Sequence, residues 1–464
     1  MKRRFLLLAA VAGASAAILS VPGTSWAGKS SPTSTAFSNV PLTVPLTNPP
    51  SGVTSATTGD SEPAVSIGTT GRMVVGGLSW IPSQVNMWTG TAGSTPSFFG
   101  ALDQNIALNG NGRTAVGDGD ESFDLGSTGT IHFADLIFVS PGTSNQQLGV
   151  SETNCPAGAT SPSQCNRRVL DTSSADRQWL TSNGRQVWLS YHDSGNSSLI
   201  HVDYSANDGA TWKKVGSPIP GQGAATGDAT FNNDQGPIVA DPTTGDVFDI
   251  YAAGQPGIQK ATAATFNNIY VSRSTDNGAH WNSTLVFSAP LFTGLNNVFP
   301  ALAVDPVTGK LYASWTDTHG VAVSVSSDHG TTWTAPVTVS NSATTVMPWV
   351  AAYNGKVDVV YYGTAAASNT DPTAVWNTYD AQLRNGSWSQ IKVSNTPNHM
   401  GEICLAGAAC PNQNVTRTLL DLFQVAENPL TGKATVIYTD DTFHTWVDNG
   451  TTFQLPEIVL AQEK

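Results

Sequence analysis

The residues best suited to chemistry in this 464-residue chain are acidic and histidine side chains that follow short apolar segments. Four of them are candidate catalytic groups: His192, Asp193, Asp317 and Asp440. Two carboxyl groups at a suitable separation can act as acid and base on a glycosidic bond, and histidine exchanges protons near neutral pH. The alternative interpretation is that such aspartates cap turns and that a single loop histidine is an ordinary surface residue.

A second set of polar and aromatic residues has the character of a sugar-binding surface. Arginine meets a carboxylate with two parallel hydrogen bonds, carboxylates accept hydrogen bonds from hydroxyls, and aromatic rings pack on sugar C–H groups. The candidates for substrate binding are Glu62, Asp176, Arg177, Trp315, Tyr361 and Arg417. The two arginines have an alternative structural role, as ion-pair partners of Asp176 or Asp421. No cofactor is required, although the same carboxylates could coordinate calcium.

These residues recur at fixed places in a repeating pattern. Seven units each contain an apolar strand, a glycine-containing turn and a second β-rich strand, at a spacing of about 50 to 70 residues. The units begin near Pro63, Ser122, Gln178, Pro237, Pro300, Pro348 and Leu422. The spacing predicts an all-β fold, a β-propeller with seven four-stranded blades, six being the alternative.

An octapeptide lies at a constant position within three units. It occupies Ser205–Trp212, Ser274–Trp281 and Ser326–Trp333, and Asp448–Phe453 is a weaker fourth copy. In such a hairpin turn an Asp or Asn caps the turn, a glycine takes positive φ and the aromatic ring packs beneath. The residues with these roles are Asn207, Gly209 and Trp212, then Asp276, Gly278 and Trp281, then Asp328, Gly330 and Trp333.

The octapeptide resembles the Asp-box, or bacterial neuraminidase repeat, of sialidases and related propellers. The resemblance covers about residues 60–460 and implies that the motif joins the third and fourth strands, on the face away from the active site. Asp276 and Asp328 are then structural. Sialidases hold a substrate carboxylate with three arginines and use a Tyr/Glu nucleophile pair with an Asp acid. Their Arg-Ile-Pro stretch is absent here, where the first unit begins Asp60-Ser61-Glu62-Pro63.

Propeller topology separates two faces of the molecule. We call bottom the face of the first-to-second and third-to-fourth strand turns, and top the face of the first-strand starts and the blade-to-blade connections. Arginines predicted on the bottom are Arg72, Arg185, Arg273 and Arg384. Arginines predicted on the top are Arg113, Arg167, Arg168, Arg177 and Arg417. We therefore expect the functional site at the top mouth of the central channel.

The favoured function is a glycoside hydrolase of the exo-sialidase-like kind. The alternatives are a non-catalytic extracellular propeller that binds glycan or protein, and a polysaccharide lyase. The net charge of −13 argues against a nucleic-acid partner, because phosphates need a basic surface. A glycan ligand, no membrane span and a monomeric state are expected.

The N-terminal segment and the four cysteines indicate export from the cytoplasm and covalent cross-links. Residues 1–27 have the basic start, apolar core and small-residue cleavage site of a signal peptide, which predicts secretion. Residues 28–60 are a Ser/Thr/Pro-rich lead with an extended segment near Phe37–Leu46, and 61–464 form one propeller domain. Four cysteines predict local disulfides Cys155–Cys165 and Cys404–Cys410, in blade-to-blade connections on the top face, with zinc as the alternative.

Overall fold

The computed structural model describes most of the chain beyond residue 35. The described residues are 36–45, 55–56, 59–80, 83–102, 106–107, 114–140, 147–172, 174–193, 199–221, 233–255, 266–295, 298–448 and 451–464. The predicted signal peptide and Arg113 lie outside them. Within these ranges no helix has the length and apolar character needed to cross a membrane.

Seven antiparallel sheets surround a central channel, so the predicted seven-bladed propeller is confirmed. Blade 1 contains β4 (Asp60–Ile67), β5 (Arg72–Trp80), β6 (Ser83–Thr91) and β7 (Ser97–Ala101). Blade 2 contains β8 (Ile106–Ala107), β9 (Thr114–Leu125), β10 (Ile131–Val139), β11 (Gln147–Cys155) and β12 (Asn166–Asp171). Blade 3 contains β13 (Ala175–Asn183), β14 (Gln186–Asp193), β15 (Leu199–Ser205) and β16 (Lys213–Gly216).

The remaining blades repeat this order. Blade 4 contains β17 (Asn233–Ala240), β18 (Val247–Ala253), β19 (Asn268–Ser274) and β20 (Asn282–Ser288). Blade 5 contains β21 (Ala301–Val304), β22 (Leu311–Thr316), β23 (Val321–Ser326) and β24 (Val337–Thr338). Blade 6 contains β25 (Thr344–Tyr353), β26 (Lys356–Thr364), β27 (Val375–Arg384), β28 (Ser387–Lys392) and β29 (His399–Met400). The inner strands β4, β9, β13, β17, β21, β25 and β30 (Gln424–Glu427) contact one another in sequence around the channel.

Blade 7 is built from both ends of the chain. It contains β30, β31 (Ala434–Asp448), β32 (Thr451–Glu463) and, as its outer strand, β1 (Phe37–Pro41). The strand β1 pairs antiparallel with β32, Phe37 opposite Glu463. The extended segment expected near Phe37–Leu46 therefore closes the ring, and β2 (Val44–Pro45) pairs with β3 (Ser55–Ala56) beside it.

The three octapeptides form equivalent turns. Each joins the third and fourth strands of its blade, in blades 3, 4 and 5, and so lies on the bottom face. In blade 4, the Ser274 hydroxyl accepts hydrogen bonds from the backbone N–H of Asp276 and of Gly278, and the Trp281 indole N–H donates to the Gly278 carbonyl. Gly278 has φ +87°, as the turn requires.

The weaker fourth copy does not belong to this set. Asp448 and Thr451 are paired residues at the ends of β31 and β32, the second and third strands of blade 7. That hairpin points to the top face, opposite the other three. The prediction that Asp448–Phe453 is a fourth copy is therefore wrong, because a short Asp-Asn-Gly turn suits any tight hairpin.

Both predicted disulfides are confirmed, but only one has the expected location. Cys404–Cys410 lies in the connection from blade 6 to blade 7, on the top face. Cys155 ends β11 and Cys165 precedes β12, so this bridge closes the third-to-fourth strand turn of blade 2 on the bottom face. The prediction that both lie in blade-to-blade connections is corrected accordingly.

Candidate functional site

Two arginines and two carboxylates converge at the top mouth of the channel. The Arg177 guanidinium donates from Nη1 to Glu62 at 3.1 Å and from Nη2 to Asp421. Arg417 donates to the same Asp421 from Nε at 3.2 Å and from Nη2 at 2.5 Å. Of the predicted site residues, Glu62, Arg177 and Arg417 are thus brought together. Asp421, which the sequence offered as a structural partner, is the acceptor that joins both arginines.

The backbone that carries Glu62 and Arg177 has an irregular conformation. The pairing of the inner strand with its neighbour is interrupted just after Ser61 and after Asp176, which is a β-bulge in each case. Glu62 has φ +49° and Arg177 has φ +53°, both in the left-handed region that non-glycine residues rarely adopt. Bulges and left-handed residues cost free energy and concentrate at functional sites, because they re-aim side chains.

Charge compensation fixes the ionisation of this group. Burial alone would raise the pKa of Asp421, but the Arg177 and Arg417 guanidinium groups outweigh it, and the pKa is lowered. Asp421 and Glu62 have side chains that are 0% and 2% exposed, whereas Arg177 and Arg417 keep 18% and 15%. Part of each arginine side chain is therefore exposed to solvent, and the two carboxylates bind the arginines from their buried side.

Aromatic rings close the channel below the arginines. The Arg177 guanidinium lies over the Phe299 ring, 4.6 Å from its centroid. Phe299 packs edge-on against Trp179, whose ring lies 5.3 Å from that of Trp349. The mouth thus has a charged rim, a cation–π contact and an apolar floor.

The acidic candidates of blade 3 lie beside this group. Asp176 pairs across the strands with His192, and Ala175 with Asp193, at the top ends of β13 and β14. The Asp193 carboxylate is 3.3 Å from the His201 ring nitrogen Nε2. Burial and, secondarily, Lys214 lower the pKa of His201, with Asp193 opposing them. The prediction placed these residues on the top face but did not include His201.

Asp440 and its neighbour Asp441 belong to a buried polar cluster between blades 6 and 7. Asp440 accepts hydrogen bonds from the Thr442 backbone N–H and hydroxyl, and burial raises its pKa to about 7. Asp441 meets the His399 ring at 2.7 Å and accepts from the Thr418 hydroxyl. Because Thr418 follows Arg417, this cluster adjoins the top mouth. Sequence reasoning missed His399 and Thr418, since neither lies in a repeat.

Three other predicted residues have structural roles. Asp317 accepts hydrogen bonds from the backbone N–H groups of His319 and Gly320 and so caps its own turn, as the alternative interpretation held. Trp315 is 2% exposed and stacks on Phe287, and Tyr361 is fully buried and stacks on Tyr379. Both rings are core residues of the blades, which does not fit the predicted sugar contacts.

Arg167 and Arg168 are not part of the top mouth. Both lie on β12, the fourth strand of blade 2, just after the bottom-face disulfide. Arg167 donates to Asp135 at 2.7 Å, and Arg168 lies 3.9 Å from Glu152. Their expected top position is corrected, because the strand on which they lie is the outer strand of blade 2 and not the start of the next blade.

No metal centre is evident in the parts of the chain that the structure describes. Among those residues, no three histidine, cysteine or carboxylate side chains come together in a way that could hold an ion. The four cysteines are paired in disulfides, so the zinc alternative has no ligands.

No family model and no curated protein matches the chain. Solved structures that resemble it include a protein of unknown function from Dyadobacter fermentans, at 12% identity and TM-score 0.46, over 87% of this chain and 95% of that one. The Aleuria aurantia lectin has 12% identity and TM-score 0.42, over 72% of this chain and 96% of the lectin chain. A Trypanosoma rangeli sialidase has 12% identity and TM-score 0.43, over 92% of this chain and 58% of the sialidase chain. Likeness at this level shows neither a family nor an activity.

Proposed function

We propose that this protein recognises a glycan at the top mouth of its channel, through the exposed edges of Arg177 and Arg417. The observation that supports the proposal is the convergence of both guanidinium groups on the buried Asp421 carboxylate. Their orientation is fixed before any ligand arrives, so little side-chain entropy is lost on binding. Fixed guanidinium forks suit the hydroxyl and carboxylate oxygens of sugars.

The charge of the mouth favours a polyhydroxylated ligand over a simple anion. Two arginines and two carboxylates, Glu62 and Asp421, sum to no net charge, and the whole chain has a net charge of −13. Long-range attraction of anions is therefore weak, and affinity must come from directed short-range contacts. The Phe299 ring beneath Arg177 adds an apolar surface for sugar C–H groups.

Glycoside hydrolysis, of the exo-sialidase-like kind, is the second candidate. It is favoured by the pair Glu62 and Asp421, which bond to the two terminal nitrogens of one guanidinium. Glycosidases use carboxyl pairs about 5–9.5 Å apart. Two observations argue against hydrolysis. Both carboxylates are almost fully buried. The lowered pKa of Asp421 keeps it ionised, which suits a nucleophile or base but not a general acid.

The test compares arginine-to-lysine variants at the two faces. Arg177→Lys and Arg417→Lys keep the charge that compensates the buried carboxylates but lose the planar fork. We expect each to weaken binding on a glycan array by about tenfold or more. Arg72→Lys is the control, since Arg72 donates to the Gly129 and Ala157 carbonyls on the bottom face. Equal losses at Arg72 and Arg177 would show that the site is elsewhere.

The same proteins separate binding from catalysis. Aryl glycosides report hydrolysis by release of the chromophore, and acidic polysaccharides report a lyase by the absorbance of the unsaturated product. Binding without product in either assay indicates a non-catalytic glycan-binding propeller. Product that disappears in Arg177→Lys supports the hydrolase at the same mouth.

We also propose that the protein acts outside the cytoplasm as a secreted monomer. The two disulfides support an oxidising compartment. Size-exclusion chromatography with light scattering tests the monomer, and N-terminal sequencing of the exported protein tests cleavage after Ala27.

A further inference from the structure

A cavity of about 390 Å³ occupies the channel below the aromatic floor. It is lined by the lower halves of all seven inner strands and opens at the bottom face, next to the first-to-second strand turns. Trp179 and Trp349 line its upper end, on the side of the arginines of the top mouth, and their ring centroids are 5.3 Å apart. Its volume lies within the range of small-molecule sites, about 300–1,000 Å³.

The wall of this cavity has a mixed half and an apolar half, and the mixed half includes apolar side chains such as Val65 and Leu180. Blades 1 to 3 contribute hydroxyl and carboxyl groups, namely Ser66, Ser122, Asp124, Thr181 and Ser182. Blades 4 to 6 contribute chiefly aliphatic side chains, among them Ile238, Val239, Leu302, Val304 and Ala351. A ligand that fills the cavity must therefore present a polar edge to one side and an apolar face to the other.

The inner-strand edges differ between blades 1 to 4 and blades 5 to 7. Side-chain oxygens of the preceding blade accept hydrogen bonds from the inner-strand N–H groups of Val65, Leu125, Leu180 and Ala240, at 2.9–3.3 Å. Within the described ranges, no side chain accepts such a bond from β21, β25 or β30. Because an edge strand presents backbone donors and acceptors, the inner strands of blades 5 to 7 can supply polar contacts from the backbone.

A buried carboxyl group lies at the boundary between the halves. Glu427 lines the cavity, is 8% exposed, and neither carboxyl oxygen has a hydrogen-bond partner, although Arg384 lies 3.9 Å away. Burial, with Asp358 nearby, raises the pKa of Glu427 to about 10, and burial also raises the pKa of Asp124. Burial thus favours the protonated form of both groups, and among the described residues no lysine, arginine or histidine lines the cavity, so its wall offers no charged partner for an anion.

We propose that this bottom cavity is a second ligand site, which takes one uncharged, hydroxyl-rich molecule of monosaccharide size. Hydroxyls on one edge would meet the serine, threonine and carboxyl groups of blades 7 and 1 to 3. The C–H face would pack on the aliphatic side chains of blades 4 to 6 and on Trp349. This site is distinct from the top mouth and does not depend on the function proposed there.

Saturation-transfer NMR on the full chain tests the proposal, with D-glucose, D-galactose, D-xylose and N-acetyl-D-glucosamine as separate probes. We expect at least one to bind at about 10 mM or below. Ala351→Phe, which fills the apolar half, should weaken that binding by about tenfold or more. Thr181→Val, which removes a hydroxyl and keeps the shape, should weaken it by about fivefold.

Two controls locate the bound sugar. Ala279→Phe makes the same change at an exposed turn of the bottom face and should not change binding. Arg177→Lys removes only the part of the binding that the top mouth contributes, so binding at the cavity should persist in this variant. Near-ultraviolet circular dichroism checks the fold, and Thr181→Val carries the test if Ala351→Phe does not fold. The proposal is overturned if no probe binds, if neither cavity variant weakens binding, or if Arg177→Lys abolishes it.

Discussion

Asp421 holds the top mouth together because both Arg177 and Arg417 donate hydrogen bonds to it. Its side chain is fully buried, so these two guanidinium groups take the place of water in stabilising its charge. A buried ion group of this kind contributes little net stability when complete, but it is costly to disrupt. The residue is thus a positioning group for the arginines.

Replacing this carboxylate should therefore destabilise the protein strongly. Asp421→Asn leaves two nearby guanidinium groups without their shared counter-charge, and we expect a loss of about 3–5 kcal/mol in the free energy of unfolding. Urea titration followed by tryptophan fluorescence measures it. Asp371→Asn, at an exposed turn where Asp371 accepts from Thr373, is the matched control and should change little. A loss below about 1 kcal/mol for Asp421→Asn would contradict the structural role.

The buried Asp440 carboxyl group should make the free energy of unfolding depend on pH. Its pKa is raised to about 7 by burial, so the folded state keeps a proton that the unfolded state releases near pH 4. The stabilisation is fully present below pH 4 and is lost as pH rises through 7, by up to about 4 kcal/mol. Asp440→Asn should flatten this part of the pH profile of the unfolding free energy. Asp317→Asn, at a partly exposed turn, should leave it unchanged; an unaltered profile in Asp440→Asn would refute the assignment.

At the scale of elements, the outer strand β1 joins three blades. Phe37 is 1% exposed and packs in a core cluster between blades 6 and 7. Asn39 donates to the Val393 carbonyl of the blade 6 to blade 7 connection at 3.0 Å and accepts from the Tyr438 hydroxyl of blade 7 at 2.8 Å. The Thr43 carbonyl, just after β1, accepts from the Trp88 indole of blade 1. A five-residue strand thus closes the ring by side-chain packing as well as by pairing.

Phe37→Ala should show how far closure depends on this packing. Removing a fully buried phenylalanine costs about 3–5 kcal/mol, and the same change in a closing strand also weakens the pairing beside it. Ser38→Ala, one residue later and exposed, is the control and should stay within about 0.5 kcal/mol of the parent. Thermal unfolding by calorimetry distinguishes them; equal midpoints for the two variants would show that β1 is dispensable.

The blades were predictable because their pattern is local. The strand–glycine–strand units, the octapeptide turns and the disulfides within short loops all involve residues close in sequence. Ring closure was not predictable from the sequence. Phe37 pairs with Glu463, and the residues around each of them give no indication of the partner. The face of Cys155–Cys165 was also missed, because it depends on whether β12 ends one blade or begins the next.

The candidate site was predictable only in part, for the same reason. Arg177 and Glu62 begin inner strands, so topology alone placed them at one mouth. Their convergence on Asp421 arises from contacts between distant blades. Trp315 and Tyr361 end second strands as expected, but strand position does not reveal which way a ring turns, and both rings turn into the core.

At the scale of the whole molecule, each face carries one disulfide. Cys404–Cys410 lies in the connection that leads to Arg417 and Asp421, whereas Cys155–Cys165 closes a turn on the opposite face. In the chain-entropy model, a disulfide that closes a loop this short adds about 2–3 kcal/mol to the free energy of unfolding. Their effects on stability should be similar, and their effects on the two mouths should differ.

Paired serine variants test this difference. Cys404→Ser with Cys410→Ser should weaken glycan binding at the top mouth by about fivefold or more, because the segment that carries Arg417 loses its constraint. Cys155→Ser with Cys165→Ser should leave glycan affinity unchanged while lowering the unfolding midpoint. Isothermal titration with the best glycan from the array gives both affinities. Equal losses in the two double variants would show that disulfide removal acts only through global stability.

The pairing of β1 with β32 has a consequence for biosynthesis. The backbone N–H of Lys464 donates to the Ala36 carbonyl, so the first and last described residues of the fold are neighbours. Phe37 is synthesised long before Glu463. The strand β1 therefore has no pairing partner until the six intervening blades have been synthesised. Linking Lys464 to Ala36 and cutting the chain at an exposed turn, between Thr331 and Thr332, would reverse that schedule. Such a circular permutant should reach the same ring while its seventh blade forms early rather than last.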